Sequence, residues 1–192
     1  MGTDKALLPW PPGAAAPGQT FLSGAIRAFL LFSDMVVVVA GANEPSLLPI
    51  AYASGASVVR NPTPENGQFS SLKVGLQQAL NYGRDAAMVT LVDRPPASVA
   101  TLQTLTSAFI AAPNEVWAVV PQVNGKHGHP ILLAREMIEA FLRAPANANA
   151  RDIEHQNQQH IQYVPVDDPT VTLNVNTPED YATLTSATPQ SK

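Results

Sequence analysis

Short runs of uniformly apolar residues alternate along this chain with longer stretches whose apolar positions recur every three or four residues. The runs at 35–40 and 87–92 have no polar face, which predicts strands covered on both sides. Shorter runs at 57–60, 116–120, 129–133, 161–166 and 171–175 predict further strands. The periodic stretches predict helices over 20–32, capped by Thr20, over 44–54, stopped by Gly55, over 70–82, closed by Gly83, and over 98–111. Helices are also expected over 135–142 and over 178–184, the latter with Thr177 as cap and Pro178 at its first position. The polar stretch 144–159 has room for a short helix around Asp152. Alternation of this kind predicts an α/β fold with a mostly parallel sheet and helices on both faces.

No repeat or linker interrupts the pattern, so residues 1–185 read as one domain and 186–192 as a flexible tail. With 192 residues, 45% of them hydrophobic, the chain can bury a substantial core. Eleven basic and fifteen acidic residues give a net charge of −4. That balance argues against nucleic acid or an anionic membrane surface as a partner and means that an anionic ligand must be met by a few placed cations. The absence of cysteine removes disulfides and thiolate metal sites. The longest apolar stretch, 25–40, is broken by Arg27, Ser33 and Asp34, too short for a membrane span. Prolines soon after Lys5 are incompatible with a secretory leader. A cytoplasmic location is expected.

In open α/β sheets ligands collect at the carboxyl ends of strands, which singles out Asp93, just past the run 87–92 and held at the rim by Pro95 and Pro96. A lone carboxylate there suits Mg²⁺, which takes few protein ligands; a turn or helix cap would use the same residue. Asn174 and Asn176 fall on one side of an extended segment and could offer two amide oxygens to a metal, or simply belong to a capped strand-to-helix junction. The segment 61–72 joins a strand end to a helix start. Asn61, Gly67, Ser70 and Ser71 there suit a nucleotide or an ordinary capped loop. Gly128 and His129 lie in a Gly-rich loop that can contact a second substrate. With His127 they are a poor zinc site, because no third ligand is near.

Taken in order, Met1-Gly2-x-x-Lys5, Asn61-Pro62 through Ser70-Ser71, Asp93-x-Pro95, Gly128-His129-Pro130 and Asn174-x-Asn176-Thr177-Pro178 resemble the molybdenum-cofactor nucleotidyltransferases over almost the whole chain. The Gly-His-Pro element and the paired serines are closest to the molybdopterin cytidylyltransferase branch. The resemblance implies a three-layer α/β/α, Rossmann-like nucleotide-diphospho-sugar-transferase fold. It also implies attack of an acceptor phosphate on the α-phosphorus of a nucleoside triphosphate, CTP favoured, with molybdopterin as acceptor. A molybdoenzyme or its maturation factor would be a fitting protein partner. Lys5 and Asp93 would be catalytic, and Asp93 with Asn176 and Asn174 would hold Mg²⁺. Gly2, Lys5, Asn61, Gly67, Ser70 and Ser71 would bind the nucleotide, and Gly128 and His129 would face the acceptor.

Three departures accompany the match. The Gly-rich turn that precedes Met-Gly in the family is absent, Arg94 stands where Gln or Met is frequent, and asparagines replace aspartates at 174 and 176. The missing turn follows a central strand in the family. The expectation is therefore a natural start about 10 to 20 residues earlier, or else an inactive remnant. A binding or maturation protein without turnover and a sugar-phosphate nucleotidyltransferase are the alternatives.

Overall fold

The computed structural model describes residues 4–14 and 18–187. Helix α1, Phe21–Phe29, opens on Thr20, whose hydroxyl and the Ser23 hydroxyl each accept the other's backbone N–H in a reciprocal cap. Strand β1 is Val37–Ala40, α2 is Glu44–Ala53, and β2 is Ser57–Arg60. Helix α3, Gln68–Asn81, leads to β3, Ala86–Val89, and α4 is Val99–Ala111. Then follow β4, Ala118–Val123, β5, Lys126–His127, β6, Ile131–Ala134, and α5, Arg135–Arg143. Helix α6, Ala150–Gln156, β7, Ile161–Pro165, and α7, Pro178–Ala187, complete the chain. The expected tail thus begins inside α7, and 188–192 lie outside the described residues.

The layers follow from strand alternation. Ala118, Val120, Ile131 and Leu133 point to one face and pack against Leu76 of α3, Phe141 of α5 and Ile153 of α6. Val119 and Leu132 point to the other face, against Leu105 of α4. In β1 the same alternation sends Val38 and Ala40 toward α1 and α2, while Val39 meets α3, where a Cβ at Gly75 would come within 2.9 Å of its side chain. The α/β/α sandwich is as expected.

The sheet itself corrects the expectation, being mixed rather than mostly parallel. β1 pairs in parallel with β2 as a separate two-stranded sheet. The larger sheet runs β3-β6-β4-β5, with β7 parallel to β4 but β6 antiparallel to both β3 and β4. The reversal comes from Asn124 and Gly125, both at positive φ (49° and 76°), which fold β4 directly back into β5. Asn-Gly is the strongest short hairpin signal; it leaves no crossover helix to keep the next strand parallel. Helix α3 packs on β1 and β3 alike, yet each of those strands pairs on one edge only among the described residues.

A second correction concerns 171–175, expected as a strand. Residues Pro169–Thr172 form a 3-10 turn, because Asp168 Oδ1 accepts the Thr170 N–H at 3.1 Å and Pro169 holds the first position. Local Asp-Pro turn chemistry overrides β propensity there. Leu173 is extended, and residues 173–175 join neither sheet. The run 87–92 is likewise strand only to Val89, and α1 ends three residues earlier than its apolar pattern.

Candidate active site

Lys5 is presented by a 3-10 turn, Lys5–Leu7, pinned at both sides. Asp4 caps it through the Ala6 N–H (3.0 Å) and takes a 2.6 Å hydrogen bond from Asn43 Nδ2 in the loop after β1. Ala6 is fully buried, so the backbone beneath Lys5 is fixed while the ammonium group reaches out. It donates to Asn176 Oδ1 at 2.9 Å across 171 residues of sequence and lies 4.0 Å from Asp93 Oδ2.

Asp93 follows β3 and is stitched to the same distant segment, since its carbonyl accepts the Val175 N–H at 3.0 Å. Val175 is buried, whereas Asn174 and Asn176 on either side are exposed. Helix α7 begins immediately after. Asp180 accepts the Asn176 and Thr177 N–H groups at 2.8 and 2.9 Å, and its own N–H bonds Thr177 Oγ1. Those backbone donors hold the Asp180 carboxyl below the usual carboxylate range, with the Lys5 charge contributing. In sequence Asp180 reads as a solvated residue of a capped junction; the fold makes it accept the Asn176 and Thr177 N–H groups within reach of the Lys5 charge.

The residues expected to read the nucleotide form a second cluster. Asn61 is buried and donates to Ser70 Oγ (2.8 Å) and Ser71 Oγ (3.0 Å) while accepting the Thr63 N–H (3.0 Å). Ser70 also bonds the Gly67 carbonyl at 2.7 Å. Gly67 has φ +82°, which only glycine adopts without strain, and nothing lies where its Cβ would be. Gly2 lies outside the described residues.

The third group lies beyond Asp93. Gly128 is required by packing: a Cβ there would stand 2.3 Å from the Val171 carbonyl oxygen. That oxygen accepts the His129 N–H (2.8 Å) and Arg94 Nη1 (3.0 Å), drawing the Gly128 loop, the 169–172 turn and the residue after Asp93 together. Burial, then the Arg94 charge, push the His129 imidazole down to about 4 against an opposing hydrogen bond to the Val89 backbone, so it is neutral near pH 7. Burial also lowers the Arg94 guanidinium, with Asp93 opposing.

Enclosed polar atoms without partners gather here: Asp93 Oδ1, Arg94 Nε and His129 Nδ1. Such atoms cost stability unless something completes them. The Asp93 side chain is 31% exposed with Oδ1 enclosed, so Oδ2 is the oxygen that a divalent cation can reach. Among the described residues no three His, Asp or Glu side chains converge on one point.

A family model, the MobA-like NTP transferase domain, matches residues 1–161. The chain belongs to this family of nucleotidyltransferases. The Escherichia coli (strain K12) molybdenum cofactor cytidylyltransferase is 24% identical over 184 residues, covering 95% of this chain and 88% of that one. The probable molybdenum cofactor guanylyltransferase of Rhodopirellula baltica is 26% identical over 186 residues, covering 94% and 83%. In fold, Rv0371c of Mycobacterium tuberculosis H37Rv is similar at a TM-score of 0.76 and 21% identity, covering 98% of this chain and 92% of that one. Its complex with manganese gives 0.75. No helix among the described residues is long and apolar enough to cross a membrane.

Proposed function

We propose that this transferase moves a nucleotidyl group, CMP favoured, from a nucleoside triphosphate to the phosphate of molybdopterin or its molybdenum-bound form, releasing pyrophosphate. The observation that carries the proposal is the meeting of Lys5, Asp93 and Asn176, drawn from three distant segments, beside an enclosed carboxylate oxygen with no protein partner. The two molybdenum-cofactor transferases above support the acceptor, and the manganese complex of Rv0371c supports a divalent ion.

In the reaction an acceptor phosphate oxygen bonds to the α-phosphorus as the bond to the bridging oxygen breaks, and the electron pair leaves with pyrophosphate. A phosphate monoester is largely deprotonated near pH 7, so no general base is needed and the protein's task is alignment and charge. Asp93, with Asn176 and Asn174, would hold Mg²⁺, which when bound neutralises charge on both phosphates. Lys5 sits 4.0 Å from Asp93 and can follow the growing charge on the leaving group. Asp180 fixes the backbone that carries Asn176.

Pyrophosphate release measured with CTP, GTP and ATP, with Mg²⁺ and either molybdopterin or a sugar phosphate, tests the reading. The expected result is fastest turnover with CTP and molybdopterin; turnover that needs a sugar phosphate would overturn the acceptor. Saturable nucleotide binding without release would support a binding protein instead. One observation favours that second reading: Lys5 holds the Asn176 oxygen that metal ligation needs.

A further inference from the structure

Asp93 is flanked by two cations rather than one. Lys5 meets Asn176 and Asp93, and Arg94 reaches the Val171 carbonyl in the 169–172 turn, beside the Gly128 loop. Arg60, Arg84, Arg135 and Arg143 each reach a carboxylate within 4.0 Å, and of Arg27, Arg94 and Arg151, which reach none among the described residues, only Arg94 is half-buried. Its guanidinium is half-buried and spends a single Nη1 hydrogen on a backbone carbonyl, and Nη2 is neither enclosed nor bonded. Burial of the Arg94 guanidinium is only partly offset by the Asp93 charge, and a half-buried cation of this kind is costly unless an anion completes it. Its planar fork matches phosphate oxygens in pairs.

We propose that Arg94 binds the phosphate of the acceptor and sets it beside Asp93. The assignment rests on the transferase reading above. Two phosphates must approach one carboxylate-bound ion, and each brings charge that the protein must offset. Lys5 serves the donor side, and the Arg94 fork fixes orientation on the acceptor side as well as supplying charge. Neighbouring His129 is neutral and therefore does not compete for the anion.

The experiment compares wild type, Arg94→Gln and Arg94→Lys in three measurements. These are KM for CTP and for the phosphorylated acceptor by pyrophosphate release, affinity for inorganic phosphate with α,β-methylene-CTP and Mg²⁺ filling the donor side, and thermal unfolding. Arg94→Gln is expected to weaken acceptor KM and phosphate affinity roughly 10- to 100-fold, the range of a lost charge-assisted pair, while CTP KM changes no more than about twofold. Arg94→Lys should recover part of the phosphate affinity as a point charge. Unchanged phosphate affinity in Arg94→Gln would overturn the proposal. So would equal losses for CTP and acceptor together with a lowered Tm, which would mark Arg94 as a tie to Val171. If wild type turns over no acceptor, the transferase reading fails, and the phosphate titration still decides Arg94 by itself.

Discussion

Two polar clusters carry the candidate site, and they are built in opposite ways. Around Asn61 nearly every donor and acceptor is spent inside the protein: the amide serves Ser70, Ser71 and Thr63, and Ser70 returns a bond to Gly67. Around Asp93 the reverse holds, with enclosed atoms of Asp93, Arg94 and His129 unpartnered and Lys5 only 4.0 Å from the carboxylate. A satisfied cluster stabilises the fold, whereas an unsatisfied one costs stability and persists where a ligand completes it. The two should therefore respond to mutation with opposite balances of stability and activity.

The largest effect is expected at Asp93. Asp93→Ala should lower kcat about 10²- to 10³-fold, the scale of losing one fixed electrostatic group at a reacting phosphate. Because Oδ1 has no protein partner while the Asp93 charge partly offsets burial of Arg94, Tm should change little. Pyrophosphate release and thermal unfolding on the same samples check this; retained turnover with a falling Tm would make Asp93 a structural cap and erase the contrast.

Asn61→Ala should show the mirror image. Removing a buried amide that makes three hydrogen bonds strands the Thr63 N–H and takes a donor from each serine oxygen, and should cost about 2–4 kcal/mol. For a chain of this size that lowers Tm by roughly 5–15 °C, with kcat changed less than about threefold. A large loss of kcat at unchanged Tm would break the comparison from the other side.

How much of this was legible in the sequence divides along the same line. Asn61, Gly67 and the two serines lie within eleven residues, and local capping chemistry brings them together, so spacing alone found the group. Asp93 was readable because an apolar run ended on it. Its meeting with Lys5 and Asn176 was legible only through family resemblance, since no local rule links residues 5, 93 and 176. Arg94 stood out as a departure, but its bond to the Val171 carbonyl depends on the 169–172 turn, which strand propensity had hidden. The sheet's handedness of pairing was misread for a similar reason. The pattern marks a polar loop between the runs 116–120 and 129–133 without showing that Asn124-Gly125 folds the chain back into antiparallel pairing.

His129 sharpens the comparison through pH. Its folded value of about 4 lies below the ordinary 6.5, so between those values the unfolded chain takes up a proton that the folded protein refuses. Stability is therefore lost as pH falls from 6.5 toward 4, by at most about 3 kcal/mol. His129→Gln should flatten that part of the profile in denaturant melts from pH 7 to 4.5. Asp168 is held below its ordinary 3.8 by the hydroxyls and N–H groups around it against the opposing effect of burial, so its loss falls below this window. An equal slope in wild type and variant would mean that the imidazole is solvated, contrary to the enclosure of Nδ1.

The smallest effect separates the two serines inside the satisfied cluster. Ser70 gives its proton to a backbone carbonyl, Gly67 at 2.7 Å, whereas Ser71 accepts from Asn61 at 3.0 Å and its own O–H has no acceptor among the described residues. Ser70→Ala should thus behave like a lost cap, costing about 1 kcal/mol of stability with little change in KM for nucleotide. Ser71→Ala should leave Tm within a degree or two while raising nucleotide KM about 3- to 10-fold, the worth of one neutral hydrogen bond. Parallel KM measurements and melts on both variants decide it. If Ser70→Ala carries the KM effect instead, the spare donor at Ser71 faces only water, and the Asn61 cluster contributes architecture rather than recognition.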